Sequence, residues 1–260
     1  MASHPPAACC TVGNLHEGNP QGTIVQIDGK IDAYLAKPST EEPRQAVLYI
    51  PDIFGIWQNS KLMADAFAAQ GYLCLVLDIF NGDQVPAKMP DGFDVMKWLS
   101  PHTPKSIDPI IVSGISYLKS IGATRIGAVG YCLGAKVRYI VRSSNLQPAN
   151  NFLQYVIRHY KSGIDSGFAA HPSFVESEEL AAITGPLSIA AAELDDLFTV
   201  EKRHESEAIL SKSKQDYQIN LFSGVHHGFA VRGDLNDKRQ LFAKEQAFAQ
   251  AVAWFKRHLG

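Results

Sequence analysis

One cysteine, two aspartates and two histidines stand at positions from which they could act together in nucleophilic catalysis. Cys132 lies in the pentapeptide Gly130-Tyr131-Cys132-Leu133-Gly134, between a short apolar run and a stretch with helical spacing. Glycines at both ends of such a join let the backbone turn sharply and let neighbouring segments approach each other. A cysteine at the start of a helix is favoured as the thiolate, which is the attacking species. Taken alone, the pentapeptide fits equally well a small buried cysteine beside a tight turn.

Candidates for the acid and the base follow two later apolar runs of strand length, at 186–192 and 217–222. These candidates are two adjacent aspartates and two adjacent histidines: Asp195, Asp196, His226 and His227. The carboxyl ends of parallel strands meet at one edge of a sheet, where open α/β sheets bind their ligands. Histidine can activate a thiol because its usual pKa lies near neutrality, and a carboxylate can orient the histidine. The order cysteine, aspartate, histidine therefore predicts a catalytic triad at that edge.

Hydrophobic periodicity predicts the strands and helices that would carry these residues. Continuous apolar runs predict strands at 45–50, at 73–77, from 125 to the Cys132 turn, and at 164–170, 186–192 and 217–222. Helical spacing predicts helices at 59–70, 108–120, 133–143 and 238–258, and the alternating segments 22–28 and 31–37 predict an antiparallel hairpin. Strands that alternate with helices indicate an α/β fold with a mostly parallel central sheet of about eight strands and helices on both faces.

The chain is expected to form a single α/β domain over residues 22–260, because its length suits one extended core and no linker or repeat interrupts it. Residues 1–21 have no clear period and predict an irregular arm laid over that domain. Residues 145–162 break the pattern that follows the cysteine turn. Either a lid segment or a plain surface excursion accounts for them.

Composition and charge exclude several other classes of protein. The 24 basic and 26 acidic residues leave almost no net charge, so no nucleic-acid-binding face is indicated. The cysteines, at positions 9, 10, 74 and 132, have the spacing of neither a disulfide framework nor a zinc site, and we expect a cytoplasmic protein. No apolar stretch approaches the roughly 18 residues of a membrane span. Because glycine-rich nucleotide-binding motifs are also missing, we expect no cofactor and no metal.

Several motifs, spread over nearly the whole chain, form one recognisable pattern. They are Asp52-Ile53-Phe54-Gly55, Leu77-Asp78-Ile79-Phe80-Asn81-Gly82-Asp83, Gly130-Tyr131-Cys132-Leu133-Gly134, His171-Pro172-Ser173, Asp195 and His227-Gly228-Phe229. On these motifs the sequence resembles the dienelactone hydrolase family of α/β-hydrolases, and its fungal members most closely. The cysteine turn followed by the late His-Gly-Phe is the specific part. The resemblance implies the α/β-hydrolase fold and an enzyme without a cofactor.

The resemblance also implies a role for each member of the triad. Cys132 is the nucleophile, His227 acts as general base and then as general acid, and Asp195 orients the imidazole. The family pattern places its histidine directly before Gly-Phe, which favours His227 over His226. Asp195 is preferred to Asp196, although a one-residue shift in a loop leaves the second aspartate open.

Further residues are implied to surround the substrate. The backbone N–H groups of Leu133 and Ile53 are the expected oxyanion donors. Asp52 stands where bacterial members carry a glutamate that exchanges contacts with the nucleophile. Arg232, shortly after the base in the sequence, either binds an anionic group or is a solvated surface side chain. The segment 80–83 lacks the arginine that helps to bind a substrate carboxylate, so a carboxylated dienelactone is less favoured as substrate. The side chains expected to bind substrate or to gate the site are Asp52, Phe80, His171, Phe229 and Arg232, where His171 either faces the site or holds a loop.

Together these features predict a hydrolase that acts on an ester, lactone or thioester carbonyl through Cys132 and a covalent acyl-enzyme. One alternative is a non-hydrolytic biosynthetic enzyme on the same scaffold, such as a cyclase, an isomerase or a lactone- or anhydride-processing enzyme of fungal secondary metabolism. Another is a ligand-binding protein that has lost the chemistry. The expected partner is a small molecule, with no nucleic acid and no membrane, and we expect a monomer or a homodimer.

Overall fold

The computed structural model describes residues 13–39, 43–86, 89–135 and 159–260. Its strands are β1 Thr23–Ile27, β2 Ile31–Ala36, β3 Gln45–Ile50, β4 Leu73–Leu77, β5 Arg125–Tyr131, β6 Ser166–Ala170, β7 Leu187–Leu194 and β8 Tyr217–His226. In the described residues these form one sheet in the order β1-β2-β4-β3-β5-β6-β7-β8. β1 and β2 form an antiparallel hairpin, β2 is antiparallel to β4, and the other neighbouring strands are parallel. The carboxyl ends of β3 to β8 therefore share one edge.

Helices pack on both faces of this sheet. The described helices are α1 Gln58–Ala69, α2 Val95–Leu99, α3 Pro104–Ser120, α4 Ser177–Ala181, α5 Val200–Leu210, α6 Phe229–Arg232 and α7 Lys238–Leu259. Residues of α1, α6 and α7 join one buried apolar cluster, and residues of α3, α4 and α5 join another. The central strands are covered on both sides, which explains why their sequences are apolar without alternation. The predicted fold class, including the N-terminal hairpin, is confirmed.

Among the predicted boundaries that were wrong, three have an identifiable reason. Helix α3 begins at Pro104 rather than at 108, because Thr103 is its N-cap. Proline is favourable in the first turn, since the N–H that it lacks would have no helical partner there. Strands β7 and β8 run on to Leu194 and His226, because their pairing continues past an irregularity between Ala192 and Leu194. The extra pairing carries the sheet directly up to Asp195 and His227.

Part of the sequence prediction falls outside the described residues. The helix predicted at 133–143 is described only at its start, where Cys132–Ala135 form a 3-10 turn. The possible lid at 145–162 is described only from residue 159, where His159–Ser162 form another 3-10 turn. Across the four described ranges, no helix has the length and apolar character needed to cross a membrane.

The described part of the N-terminal arm is fixed against α1 and α6. Asn59 of α1 is fully buried, and its Oδ1 accepts a hydrogen bond from the N–H of His16 at 2.8 Å. Its Nδ2 donates to the carbonyl oxygens of Asn14 at 2.8 Å and Val231 at 3.0 Å. The N–H of Asn14 in turn donates to the carbonyl of Arg232 at 2.9 Å. The arm therefore holds the short helix that follows His227.

Candidate active site

Cys132 lies on a strained turn at the carboxyl end of β5. Its φ angle is +52°, which is unusual for a residue with a side chain, and the residue is fully buried. Strand β5 pairs with β3 in the middle of the sheet, with Gly130 opposite Ile50. A backbone conformation of this kind aims a nucleophile above the sheet edge and stores strain at the site.

Gly134 allows the turn to fit beneath the end of β3. A Cβ atom added at this position would collide with the carbonyl oxygen of Ile50 and come within 2.5 Å of that of Pro51. Both obstacles are backbone atoms of a buried strand end, which cannot rotate away as a flexible side chain would. Glycine is therefore required here because of the close approach of two backbones.

Replacing Gly134 by Ala should lower the free energy of unfolding by about 3 kcal/mol or more, because the new methyl group overpacks a rigid backbone. Urea unfolding followed by circular dichroism measures this effect. Gly29→Ala is the matched control: Gly29 has a φ angle of +67° but open space around its missing Cβ. Only the cost of the left-handed conformation, about 1 kcal/mol, is expected there. Equal effects at the two positions would contradict the packing role of Gly134.

His227 and Asp195 form a buried pair at the ends of β8 and β7. The Nδ1 atom of His227 lies 3.1 Å from Oδ1 and 3.0 Å from Oδ2 of Asp195, and the two side chains are 1% and 0% exposed. Asp195 Oδ1 also accepts the backbone N–H groups of Leu197 at 2.9 Å and Phe198 at 3.1 Å. The neighbouring Asp196 and His226 are exposed. The structure thus pairs Asp195 with His227 and leaves the two alternatives at the surface.

The charges around His227 favour its protonated form. Burial alone would lower the pKa of His227, but the negative charges of Cys132 and Asp195 and its hydrogen bonds to both residues raise the pKa to about 10. Burial opposes ionisation of Asp195 as well, yet the pKa of Asp195 is lowered by His227 and by its backbone donors. An imidazolium held between a thiolate and a carboxylate is the charge arrangement of an activated cysteine.

At neutral pH iodoacetamide should alkylate Cys132 at least about tenfold faster than Cys74, because only Cys132 has a cationic neighbour that favours the thiolate. Cys74 lies in β4, and burial raises its pKa well above the usual value. Peptide mass spectrometry of the full-length protein at successive times gives the rate at each cysteine. Equal rates would show that the sulfur of Cys132 is not activated.

Asp52 and Arg232 form a second buried ion pair, whose carboxylate interacts electrostatically with Cys132. Arg232 donates from one terminal nitrogen to Asp52 Oδ2 at 3.0 Å, and both side chains are 1% exposed. Asp52 Oδ1 accepts the N–H of Phe54 at 3.1 Å. Burial raises the pKa of Asp52 to about 6. The positive charge of Arg232 opposes this increase, and the negative charge of Cys132 adds to it. The carboxylate of Asp52 and the thiolate of Cys132 therefore repel each other, and Arg232 offsets that repulsion.

The guanidinium of Arg232 is enclosed rather than presented to solvent. It lies 5.6 Å from the centre of the Phe54 ring, and Cβ atoms added at Gly13 or Gly228 would come within 2.5 Å and 2.7 Å of its side chain. Gly228 has a φ angle of +93°, so its lack of a side chain serves both the turn and the packing. The Asp52 carboxylate and these close neighbours hold the guanidinium in place.

His171, directly after β6, faces His227. Its ring is fully buried and lies 4.9 Å from the ring of His227 in an edge-to-face contact, with Phe229 at 5.7 Å and Tyr131 at 6.1 Å. Burial lowers the pKa of His171 well below its usual value, and the positive charges of His227 and Arg232 add to this effect. The ring of His171 therefore lies against His227, in surroundings that disfavour its charged form.

The remaining residues that were predicted to belong to the site lie in the loops after β3, β4 and β5 and in α6. Ile53 and Leu133 are both fully buried, Ile53 in the loop after β3 and Leu133 in the turn of Cys132. Phe229 packs against His171 and Phe222. Phe80 packs instead with Trp98 at 5.0 Å and His102 at 5.1 Å, in an aromatic group after β4. The ring contacts of Phe80 are therefore with this aromatic group after β4.

A cavity of about 440 Å³ borders His227 and Arg232, between the arm and α6. Its lining also includes Gly13, Asn14 and Asp234. Within the ranges that the structure describes, no three His, Cys, Asp or Glu side chains are grouped in a way that could hold a metal ion.

Sequence reasoning assigned no role to Asn59 or Ser173. Asn59 lies at helical spacing from Met63 and Phe67 on the buried face of α1, so a polar residue within an apolar stripe was the available signal. Ser173 belongs to a motif that the sequence does display, but no periodicity indicates that its hydroxyl lies 4.0 Å from the sulfur of Cys132.

Comparison with known proteins agrees with the family resemblance of the sequence motifs. A model of the dienelactone hydrolase family matches residues 31–259. The chain is 47% identical over 262 residues to Hydrolase pyvD of Aspergillus violaceofuscus, covering 100% of this chain and 99% of that protein. It is 34% identical over 267 residues to Dienlactone hydrolase 1 of Gibberella moniliformis, covering 98% and 94%.

Solved structures share the fold at lower sequence identity. One is a dienelactone hydrolase-like promiscuous phosphotriesterase from metagenomic libraries, with a TM-score of 0.64, 14% identity and coverage of 92% of this chain and 98% of that chain. Another is a thermophilic esterase from Thermogutta terrifontis, with a TM-score of 0.59, 14% identity and coverage of 92% and 94%. The predicted α/β-hydrolase architecture is confirmed by this likeness and by the strand order.

Proposed function

The chain belongs to the dienelactone hydrolase family, and from this premise we propose that it hydrolyses an ester, lactone or thioester through Cys132, His227 and Asp195. The observation that carries the proposal is the buried Asp195–His227 pair, whose imidazole hydrogen-bonds to Cys132 at the carboxyl edge of the sheet. Covalent acyl transfer requires a nucleophile, a base and a group that orients the base. Cys132, His227 and Asp195 can fill these roles from the ends of three strands.

The proposed reaction begins when the Cys132 thiolate attacks the carbonyl carbon. A carbon–sulfur bond forms, and the carbonyl electron pair moves to oxygen, where the N–H groups of Leu133 and Ile53 stabilise it. The tetrahedral intermediate then expels the leaving group, which takes a proton from the imidazolium of His227. The product of this half-reaction is a thioester between Cys132 and the acyl group.

Hydrolysis of that thioester returns the enzyme to its starting state. Neutral His227 removes a proton from water as the water oxygen attacks the acyl carbon, and collapse of the second intermediate breaks the carbon–sulfur bond. The electron pair returns to sulfur and restores the thiolate beside the imidazolium. Asp195 fixes the ring of His227 throughout, because it holds Nδ1 and leaves Nε2 directed at the reacting atoms.

We assign Asp52 and Arg232 to control of the nucleophile rather than to the bond-making steps. A charged Asp52 disfavours a thiolate at Cys132, and its pairing with Arg232 weakens that effect. Arg232 is held by Asp52 and lies beside the Phe54 ring, and we therefore assign it to this ion pair and not to the reacting groups. His171 and Phe229 pack against the imidazole side of the site.

Turnover in water enriched in heavy oxygen tests the proposed reaction. The protein is incubated with a panel of activated esters, thioesters and small lactones, and the products are analysed by mass spectrometry. Hydrolysis must place one solvent oxygen in the carboxylate of the product. A product formed by the enzyme without solvent oxygen would contradict hydrolysis and favour the cyclising or isomerising enzyme. Absence of turnover and of acylation with the whole panel would favour a ligand-binding protein.

A further inference from the structure

The loop that follows β6 contacts both the sulfur and the base of the proposed site. At one end, the ring of His171 lies against His227. At the other, Ser173 donates its backbone N–H to the carbonyl of Cys132 at 3.4 Å, and its Oγ lies 4.0 Å from Sγ of Cys132. His171 and Phe174 have φ angles of +38° and +60°, so two residues with side chains adopt the left-handed conformation within four positions. Such strain is characteristic of a loop whose geometry serves a site.

The hydroxyl of Ser173 is fully buried and lies within hydrogen-bonding range of the sulfur. Burying a hydroxyl is costly unless it forms a hydrogen bond. Because the N–H of the same residue holds the carbonyl of Cys132, the position of the hydroxyl is fixed relative to the nucleophile.

We propose that Ser173 is a further catalytic residue, whose hydroxyl donates a hydrogen bond to the thiolate of Cys132. This inference rests on the proposed function, since it assigns Ser173 to the nucleophile of that reaction. A hydroxyl can rotate, so the same oxygen accepts from the thiol and donates to the thiolate. Hydrogen bonds to charged groups are the stronger ones, and the bond therefore favours ionised sulfur.

The same hydrogen bond assists the second half of the reaction. When Cys132 carries an acyl group, its sulfur has no full negative charge and Ser173 has little to stabilise. As the carbon–sulfur bond breaks, the electron pair moves to sulfur and the hydrogen bond strengthens. An interaction that grows along the reaction coordinate lowers the barrier rather than merely the energy of the bound state.

Ser173→Ala tests this role by removing the hydroxyl and little else. The rate of alkylation of Cys132 by iodoacetamide is measured against pH in the full-length protein, with the modified peptide resolved by mass spectrometry. Loss of a hydrogen bond to a charged group should raise the midpoint of that curve by about one pH unit, and slow alkylation about tenfold below it. With an activated ester, the acylated enzyme should also accumulate to a higher level.

Ser166→Ala is the matched control. Ser166 is a fully buried serine at the start of β6, and its hydroxyl has no hydrogen-bond partner in the described part of the chain. Its replacement should leave the midpoint unchanged. If urea titration shows that Ser173→Ala is not folded, Ser173→Gly, which also lacks the hydroxyl, is measured in its place.

An unchanged midpoint in a folded variant without the Ser173 hydroxyl would overturn the inference, as would an equal shift in Ser166→Ala. The failure of the proposed function is distinguishable from both outcomes. The alkylation curve measures the ionisation of the sulfur alone, whereas loss of the proposed function would show as undiminished ester turnover after Cys132 is removed.

Discussion

Replacing Cys132 by Ala should lower the turnover of an activated ester by about 10⁴-fold or more while the protein remains folded. The sulfur is the atom that forms the covalent bond in the proposed reaction, and the alanine methyl group cannot form that bond. The residual rate would come from the oxyanion donors and from binding alone. Steady-state kinetics, together with urea unfolding of both proteins, measure the effect.

Cys74→Ala is the control for this substitution. Cys74 is also fully buried, but it lies near the start of β4, away from the carboxyl edge. Its removal should cost some stability and leave kcat within about twofold of the native value. Undiminished turnover by Cys132→Ala would refute the assignment of the nucleophile, and a comparable loss in Cys74→Ala would indicate a general effect on folding.

Asp195→Asn should reduce kcat by about 10⁴-fold, because an amide can donate to Nδ1 and so stabilise the wrong tautomer of His227. The pH profile should change as well. The negative charge of Asp195 is one of the causes that raise the pKa of His227 to about 10, so the native imidazolium is present below that pH and is lost as pH rises through it. Without the carboxylate the pKa of His227 falls, and the basic limb of the activity profile should move to lower pH.

Asp196→Asn distinguishes the two adjacent carboxylates. Asp196 is exposed, whereas Asp195 is buried against His227 and two backbone N–H groups. The change at Asp196 should leave kcat within about twofold and the basic limb in place. A large loss in Asp196→Asn, with Asp195→Asn near native activity, would assign the acid to the other residue.

The sequence predicted the sheet and the strand ends that carry the site because buried parallel strands leave a strong apolar signal. The runs at 45–50 and 73–77 coincide with β3 and β4. The ends of β7 and β8 were placed too early, since the polar Glu193 and the pair Ser223-Gly224 interrupt the apolar runs. Their backbone pairing, which no hydrophobicity pattern registers, extends the strands to Asp195 and His227.

The candidate site was predictable in its residue types and only partly in its contacts. Motif resemblance pointed to Cys132 and His227, and the structure adds that Asp195 is the buried carboxylate of its pair. The ion pair between Asp52 and Arg232 joins residues 180 positions apart. Side-chain direction and loop path determine such a pair, and neither follows from local sequence. The same reason applies to Ser173, whose hydroxyl reaches Cys132 through a strained loop.

The covalent state of Cys132 during turnover tests the central claim most directly. The protein is mixed with an activated ester, quenched rapidly in acid and digested, and each cysteine-containing peptide is weighed by mass spectrometry. The proposal predicts an acyl group on the peptide that contains Cys132, which disappears as substrate is exhausted and is removed by hydroxylamine. Rapid turnover with the acyl group on another residue, or with unmodified Cys132 at every quench time, would contradict it.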